Sequence, residues 1–311
     1  MEDKEYLYLS ENTILREKYK INRILTERSN FSIVYLGTNL KNNKEVVIKE
    51  YFPKNIVLRD MDKKTLLCKS SLSFDRYKKG MEAFIYEGEI MKKLKSKASA
   101  EFVDSFSENG THYVVMKYHK GEDLEEHIKN QRIKSHDFFI KNVIFPLLDT
   151  IHFMHKVGYI HRDIKPSNII MEEGEKPILI DFGSSVDIKK KEEKKIMITP
   201  GFSPIEFYSE KTVQCKASDV YSISAMLYYY FVGHIPVDAT NRIIEDDILR
   251  PSEINKSIPK NLERFIMKNL SMNMKNRDKD IKSFKKNLKM AFYLDKISEK
   301  MPLIKIMNKG V

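Results

Sequence analysis

Alternating apolar and polar residues dominate the first fifty positions of the chain. Residues 19–25, 33–36 and 45–49 are short runs with the period of two that half-buried strands have. Further runs of this kind, within 102–118, flank an Asn109-Gly110 pair, which is the strongest short signal for a hairpin turn. The pattern predicts antiparallel strands before residue 120.

Helical spacing dominates after Leu124, where the period of the apolar residues changes. Apolar residues recur every three or four positions in the predicted helices of this region, which are 138–157 ending near Gly158, 218–232 and 258–291. One earlier segment, 84–94, has the same spacing and is also predicted to be helical. Two short apolar runs around Glu173-Gly174 predict one small hairpin within this region. Strands first and helices afterwards predict an α+β protein.

Composition indicates a globular chain with a substantial core. The 311 residues are 41% hydrophobic and 32% charged, enough for one large domain or two lobes. The sequence has no run of eighteen apolar residues, and its N-terminus has neither the basic start nor the apolar middle of a signal peptide. Cys68 and Cys215 lie far apart, without the spacing of metal ligands. We therefore expect a cytoplasmic protein without a membrane span.

The net charge of +11 is compatible with acidic substrates, nucleic acid or an anionic membrane as partners. The lysines are spread along the chain, however, and this distribution is typical of a solvated surface. The sequence contains no motif that combines basic and aromatic residues for base recognition. We therefore expect no specific nucleic-acid binding.

A polar cluster in the middle of the chain has the residue types that phosphoryl transfer needs. The sequence reads HRDIKPSN there, and DFG begins thirteen residues after its last member. Asp163 can accept the proton of an attacking hydroxyl, and Lys165 can offset charge on the moving phosphoryl group. Asn168 and Asp181 offer hard oxygen atoms to Mg²⁺, which proteins hold through few carboxylates together with substrate phosphates.

These motifs resemble the catalytic loop and the metal loop of the eukaryotic-type serine/threonine protein kinases. The resemblance implies ATP and Mg²⁺ (or Mn²⁺) as cofactors. It also implies a bilobal kinase fold, with a small antiparallel-sheet lobe and a mostly helical large lobe. It divides the chain into a lead-in at 1–18, a small lobe at 19–118 with an insert at 51–80, a large lobe at 119–291 and a basic tail at 292–311.

The resemblance assigns nucleotide contacts in the predicted small lobe. Lys49 ends a strand where the family has a lysine that contacts the phosphates. Glu87 is placed to pair with this lysine, and Glu89 is the alternative. Val34 and Val47 fall where the family packs side chains against the nucleotide.

The strand that ends near residue 118 resembles the entry to the family's hinge. Met116 would gate the deep end of the adenine pocket, and Lys117 and Tyr118 would offer backbone groups to the purine edge. Asp123 either reaches a ribose hydroxyl or caps the helix that begins at Leu124, and the sequence favours neither role.

The run IKEYFP at 48–53 resembles a bacterial subgroup of these kinases in which an inserted segment follows. Arg59 and Phe74 fall where that subgroup often has Arg and Phe. This resemblance predicts a bacterial source.

The segment from Thr199 to Glu206 resembles the part of the family that closes the activation region. Thr199 is expected to hydrogen-bond Asp163 and Lys165 and so to orient the acceptor hydroxyl. Lys165, two positions after the aspartate, favours serine and threonine acceptors over tyrosine.

Buried contacts are expected to hold this region together. The resemblance pairs Glu206 with Arg277, and it assigns Asp219 to the catalytic-loop backbone. His161 and Phe182 are expected to pack against the metal loop.

The phosphate-binding loop departs from the family's pattern. Its three glycine positions hold Glu27, Ser29 and Ser32, although a backbone that approaches phosphate closely favours glycine. Val47 is a second departure, because alanine is usual there and two added methyl groups narrow the adenine pocket.

The activation region departs as well. Arg162 directly precedes Asp163, and in this family an arginine at that position usually goes with a phosphorylated activation loop. Residues 186–198, however, contain no Ser, Thr or Tyr. Lysines occupy much of 189–195 instead. We expect these lysines either to engage an acidic partner or to remain mobile.

Together these patterns predict a protein kinase that transfers phosphate from ATP to Ser or Thr hydroxyls of proteins. The alternative is a pseudokinase with weak or no transfer, which the glycine-free loop and Val47 motivate. A small-molecule phosphotransferase of related fold is a third hypothesis, and the polypeptide-binding segment at 199–206 weighs against it.

Overall fold

The computed structural model describes residues 7–26, 30–190 and 196–307, without the side chains of 298–307. These residues form two compact units. The first comprises the described residues up to Lys95 and Ser99–Lys120. The second comprises Ser96–Ala98 and the described residues from Gly121 onward.

Strands make up most of the first unit. They are β1 (Ile14–Leu15), β2 (Tyr19–Thr26), β3 (Ser32–Asn39), β4 (Lys44–Tyr51), β5 (Val57–Arg59), β6 (Leu66–Cys68), β7 (Phe102–Glu108) and β8 (Thr111–Lys117). Six of them form an antiparallel sheet in the order β1-β2-β3-β4-β8-β7, and β5 pairs with β6. The predicted antiparallel strands are confirmed.

The predicted hairpin turn at Asn109-Gly110 joins β7 and β8. Both residues have positive φ, 53° and 72°, as the favoured two-residue hairpin turn requires. A Cβ on Gly110 would also lie 2.8 Å from the carbonyl oxygen of Leu66. Glycine is therefore needed at this position for both its conformation and its size.

The segment 51–80 contains the β5–β6 hairpin and the beginning of helix α1 (Phe74–Lys93). The helix starts before 84, where the apolar spacing predicted it, because its first two turns are mostly polar. Only Tyr77 is buried among them. A helical turn that packs through a single side chain has no apolar stripe in the sequence, so periodicity does not predict it.

Aromatic contacts seat α1 on the sheet. The ring of Tyr51, at the end of β4, lies 5.3 Å from the ring of Tyr77 and 5.6 Å from that of Phe84. Aromatic pairs at such separations are favourable. They fix the helix face that carries Glu87, which is buried.

Helices make up most of the second unit. They are α2 (Leu124–Lys129), α3 (His136–Phe138), α4 (Phe145–Lys156), α5 (Lys216–Val232), α6 (Ala239–Ile244), α7 (Pro251–Ile254), α8 (Lys260–Asn269) and α9 (Ile281–Met307). The predicted helix at 138–157 is observed as α3, a π-helical stretch at Phe139–Ile144, and α4. It ends before Gly158, whose φ is +99°.

Five short strands of the second unit position the polar cluster. They are β9 (Gly121–Asp123), β10 (Tyr159–Ile160), β11 (Ile169–Glu172), β12 (Lys176–Leu179) and β13 (Val186–Asp187). The predicted hairpin around Glu173-Gly174 is confirmed by the pairing of β11 with β12, and β10 pairs with β13. The HRDIKPSN segment starts where β10 ends, and Asp181 follows β12.

Helix α9 continues beyond residue 291, where the sequence placed the start of a tail. Phe292 is buried, and the carboxylate of Asp295 accepts hydrogen bonds from the backbone N–H groups of Asn261 and Leu262, at 3.2 and 2.9 Å. The predicted boundary at 291 therefore lies inside a helix that still packs on the unit.

No helix in the described part of the chain combines the length and the apolar character that crossing a membrane requires.

Candidate active site

Polar side chains of the second unit form one hydrogen-bonded cluster around Asp163. The Thr199 hydroxyl donates to Asp163 Oδ1 at 2.7 Å, and Lys165 Nζ donates to the Thr199 hydroxyl oxygen at 2.9 Å. Lys165 Nζ also lies 2.9 Å from Asp163 Oδ2. The Asn168 amide donates to the same Oδ2 at 2.9 Å and to the carbonyl oxygen of Asp163 at 2.8 Å. These neighbours hold the carboxylate in one orientation.

The backbone of this loop is held by buried Asp219 on α5. Its carboxylate accepts hydrogen bonds from the backbone N–H groups of His161 and Arg162, both at 2.9 Å, and from His155 Nε2 at 2.7 Å. Burial alone would raise the pKa of Asp219, but the hydrogen bond and charge of His155 help to lower that pKa below its ordinary value. The expected tie between α5 and the loop is present.

Arg162 has a left-handed backbone conformation, with φ of 72°, and its side chain is buried. Its guanidinium lies 5.4 Å from the centre of the Phe207 ring, a cation–π contact. Nη1 of Arg162 also donates to the carbonyl oxygen of Ser184 at 3.4 Å. The arginine that was linked to activation-loop phosphorylation thus contacts groups of its own unit.

His161 and Phe182 pack against each other as expected. Their ring centres lie 5.4 Å apart, and both side chains are almost fully buried. Burial lowers the pKa of His161, which favours the neutral imidazole.

Asn168 and Asp181 remain suited to a hard cation. Asn168 uses its amide nitrogen for Asp163, so its amide oxygen is the atom that can bind a metal. One oxygen of Asp181 accepts a hydrogen bond from the backbone N–H of Gly183 at 3.1 Å, which orients the carboxylate. The described residues contain no cluster of three or more His, Cys, Asp or Glu that could hold a metal alone. Mg²⁺ does not require such a cluster when phosphates supply ligands.

Lys49 and Glu87 form an ion pair in the first unit. Lys49 Nζ lies 2.7 Å from Glu87 Oε1, and the glutamate side chain is 3% exposed. Glu89 points to solvent. The structure thus selects Glu87 over Glu89 as the partner of the lysine.

Four of the residues assigned to the nucleotide share one face of the sheet. Val34 lies directly opposite Lys49 across β3 and β4, and Val47 lies opposite Met116 across β4 and β8. Val47 and Lys49 are two positions apart on one strand, so their side chains point to the same side. Met116 is buried, whereas Lys117 is exposed and its backbone N–H donates to the carbonyl oxygen of Glu101 at 2.9 Å. Tyr118 follows the strand.

Asp123 caps a helix. Its side chain accepts a hydrogen bond from the backbone N–H of Glu126 at 2.9 Å, at the start of α2. Of the two roles that the sequence left open, capping is therefore observed.

Two predicted features lie largely outside the described residues. In the glycine-free loop, Glu27 and Ser29 are not described, whereas Ser32 is buried at the start of β3. In the lysine-rich segment, Lys189 and Lys190 are described and exposed, but 191–195 are not.

The expected ion pair between Glu206 and Arg277 is present and buried. Arg277 Nη1 lies 2.7 Å from Glu206 Oε1, and Nη2 lies 3.2 Å from Oε2. Bidentate pairing of this kind is strong and geometrically specific. It fixes the end of the segment that begins at Thr199.

A family comparison agrees with this geometry. The family described as the protein kinase domain matches residues 28–287. The chain belongs to the protein kinase family. The fold expected from the resemblance is thereby confirmed: this kinase domain has an antiparallel-sheet unit and a mostly helical unit.

Curated relatives of the kinase domain include plant and bacterial proteins. CBL-interacting protein kinase 10 of Oryza sativa subsp. japonica is 25% identical over 263 residues, which cover 81% of this chain and 53% of that protein. A probable serine/threonine-protein kinase of Clostridium acetobutylicum is 28% identical over 214 residues, 62% of this chain and 32% of that protein. The chain thus spans about half of the first relative and about a third of the second.

Solved structures superpose on the chain. The apo form of PpkA-294 has a TM-score of 0.79 at 26% sequence identity. The superposition covers 91% of this chain and 99% of the PpkA-294 chain. The PknI kinase domain of Mycobacterium tuberculosis has a TM-score of 0.65 at 16% identity, with the same coverage of 91% and 99%. The second likeness concerns the fold alone.

The kinase domain also contains a buried polar cluster that the sequence did not predict. Arg59 pairs with Glu50 through two contacts, Nη2 to Oε2 at 2.8 Å and Nη1 to Oε1 at 3.1 Å. The hydroxyls of Tyr35 and Tyr113 donate to the same carboxylate at 2.8 and 3.0 Å. A signal was available, because the period of two in β4 places Glu50 on the buried side of the strand.

Proposed function

We propose that this chain is an ATP- and Mg²⁺-dependent protein kinase that phosphorylates Ser or Thr hydroxyls, with Asp163 as the base. One observation supports this proposal most directly. Thr199, Lys165 and Asn168 all contact the carboxylate of Asp163 within 2.9 Å. This arrangement fits a base that must meet a hydroxyl in a fixed direction.

Asp163 would accept the proton of the acceptor hydroxyl while the oxygen of that hydroxyl forms a bond to the γ-phosphorus. The bond between that phosphorus and the ADP oxygen breaks in the same displacement. Lys165 would offset negative charge that develops on the transferred group, and Thr199 would keep Asp163 and Lys165 aligned. Positioning and charge stabilisation of this kind provide most of the catalysis in phosphoryl transfer.

The metal–nucleotide complex supplies the phosphoryl group and an electrophilic phosphorus. Asn168 and Asp181 would hold Mg²⁺ (or Mn²⁺) through oxygen atoms, in keeping with the donor set described above. Lys49, oriented by Glu87, would contact the phosphates. Val34, Val47 and Met116 would lie against the adenine, and Lys117 and Tyr118 would contribute backbone groups to it. The backbone N–H of Lys117 already donates to Glu101, so Lys117 would contribute its carbonyl oxygen. Asp123 would act mainly as a helix cap.

The acceptor is proposed to be a protein. Lys165 favours serine and threonine, and the buried Glu206–Arg277 pair holds the segment that faces polypeptide acceptors in this family. An acidic partner for the lysines of 189–195 also stays a proposal, supported by the exposure of Lys189 and Lys190. Replacing both by glutamine tests it, since unchanged substrate choice and activity would contradict it.

A cytoplasmic location is proposed as well. Cys68 and Cys215 both carry free thiols. Unpaired cysteines are typical of proteins in a reducing compartment.

Transfer from labelled ATP to matched Ser, Thr and Tyr peptides, with Mg²⁺ or Mn²⁺, tests the proposed activity. We expect label on the Ser and Thr peptides and none on the Tyr peptide. A pseudokinase, the second candidate, is favoured by Val47, which lies opposite Met116. It predicts no transfer to any peptide and no autophosphorylation, and a nucleotide-binding titration would then distinguish a regulated binder from a scaffold.

A further inference from the structure

Helix α9 presents two unlike surfaces to solvent. Its buried face packs on the second unit through Ile281, Phe284, Leu288 and Phe292. The remaining faces carry a row of lysines and, beside it, an apolar stripe. Neither surface belongs to the catalytic cluster around Asp163.

The apolar stripe consists of Met290, Tyr293 and Ile297. Their exposed fractions are 57%, 49% and 54%. Spacings of three and four residues place these side chains on one side of the helix. Phe292 is buried on the opposite side, so the stripe points away from the core.

The lysine row consists of Lys282, Lys285, Lys286 and Lys289, also spaced by three and four residues. These side chains, with Asp149, His152 and Ile281, line a cavity of about 340 Å³ between α4 and α9. Lys285 Nζ lies 2.5 Å from a carboxylate oxygen of Asp149. For Lys282, Lys286 and Lys289, no carboxylate of the described residues lies within ion-pair distance.

The cavity is electropositive. Among the described residues, Asp149 is the one acidic side chain that lines it, against four lysines. Burial lowers the pKa of His152, and the charges of Lys156 and Lys282 lower it further, which favours the neutral imidazole. The ammonium groups of Lys285 and Lys289 lie over the ring of Phe145, with their Nζ atoms 5.4 and 5.2 Å from its centre.

We propose that α9 binds an anionic membrane surface, with lipid phosphates at the lysine row and the apolar stripe in the interfacial layer. A row of cations beside an exposed apolar stripe along one helix is the arrangement by which helices lie on membranes. Clusters of four or more lysines near such a helix attract anionic lipid. A second copy of this chain is disfavoured as the occupant, because the two lysine rows would repel each other.

Vesicle co-sedimentation of the 311-residue chain tests this proposal. We expect binding to phosphatidylcholine vesicles that contain about one third phosphatidylglycerol, and none to pure phosphatidylcholine. The triple variant K282E/K286E/K289E should lose at least about tenfold in vesicle affinity. The control K41E/K44E/K78E changes the net charge equally on exposed lysines of the first unit and should retain binding.

The apolar stripe is tested separately. M290S/Y293S/I297S should weaken vesicle binding and leave the remaining binding more sensitive to salt, because only electrostatic attraction is left. The control L58S/M61S/L67S alters exposed apolar residues of the β5–β6 hairpin and should not change vesicle binding. Phosphotransfer in solution should be unchanged in all four variants, which confirms that they fold.

Three results would overturn the proposal. The first is no binding of the unaltered chain to anionic vesicles. The second is equal loss of binding in K282E/K286E/K289E and its charge-matched control. The third is stronger binding to soluble polyglutamate or to nucleic acid than to vesicles, because an acidic protein segment or a polynucleotide would then be the occupant.

Discussion

Thr199 is the residue whose contacts bear most directly on transfer. Its hydroxyl donates to Asp163 and accepts from Lys165, so one oxygen atom links the proposed base to the proposed charge-stabilising group. The sequence predicted that Thr199 contacts Asp163 and Lys165, because these three residues occupy the positions that the kinase motifs give them. In the structure, both contacts of the Thr199 hydroxyl are hydrogen bonds, of 2.7 Å to Asp163 and 2.9 Å from Lys165.

Replacing Thr199 by valine keeps the side-chain shape and removes both hydrogen bonds. We expect kcat to fall by roughly tenfold to a hundredfold with little change in KM for ATP, since the lost contacts align groups that act in the transition state. Steady-state kinetics with a Ser peptide measures this. Thr199→Ser retains the hydroxyl and should stay near the original rate; an equal loss in both variants would contradict the alignment role.

Asp219 should make stability depend on acid pH. Its pKa in the folded protein is lowered, so its ionised form stabilises the fold at pH values above the unfolded pKa of about 3.9. That contribution is lost as pH falls through the lower folded-state pKa. Thermal unfolding followed by circular dichroism between neutral and acid pH measures the dependence.

Asp219→Asn should lower the unfolding temperature at neutral pH and flatten its decline below about pH 4. The exposed control Asp247→Asn should follow the unaltered protein. An undiminished acid decline in Asp219→Asn would show that other groups cause it.

Among the elements, the β5–β6 hairpin depends on one buried ion pair. Besides Glu50, the guanidinium of Arg59 donates to the carbonyl oxygens of Lys64 and Leu7, at 2.8 and 3.2 Å. Glu50 lies on β4, next to Lys49. The pair therefore connects the hairpin and the start of the described chain to the strand that carries the proposed phosphate contact.

Arg59→Met should destabilise the protein by about 3–5 kcal/mol, because it leaves a buried carboxylate without its counter-charge. Urea unfolding followed by circular dichroism measures the change. Arg76→Met, on the exposed face of α1, should change stability by less than about 0.5 kcal/mol. A small effect of Arg59→Met would mean that Tyr35 and Tyr113 suffice to satisfy Glu50.

Prediction from sequence succeeded where an element carries its own pattern. Alternation of apolar and polar residues identified the sheet strands. Asn109-Gly110 identified a turn in which both residues have positive φ, a conformation that asparagine and glycine adopt more easily than most residues. It failed at the start of α1, whose first turns pack through Tyr77 alone, and at α9, whose packing continues beyond 291. Both depend on tertiary contacts that a local period does not encode.

Across the whole molecule, the family and the polar cluster around Asp163 were predictable because the motifs fix both residue type and order. The packing of Arg162 against Phe207 was not, since it depends on residues 45 positions apart in the chain. The sequence also left Asp123 undecided between two roles, and only the hydrogen bond to Glu126 distinguishes them. The motifs therefore predicted which polar side chains form the cluster around Asp163. The individual contacts of Arg162 and Asp123 required the structure.

The most direct test of the central claim is phosphoryl transfer by Asp163→Asn, measured beside nucleotide binding. The account predicts transfer from labelled ATP to a Ser peptide in the unaltered chain and in the exposed control Asp247→Asn. In Asp163→Asn, transfer should fall by at least about a hundredfold while ATP binding is retained. Equal transfer in Asp163→Asn and the unaltered chain would contradict Asp163 as the base, and ATP binding without transfer in any of the three proteins would indicate a pseudokinase.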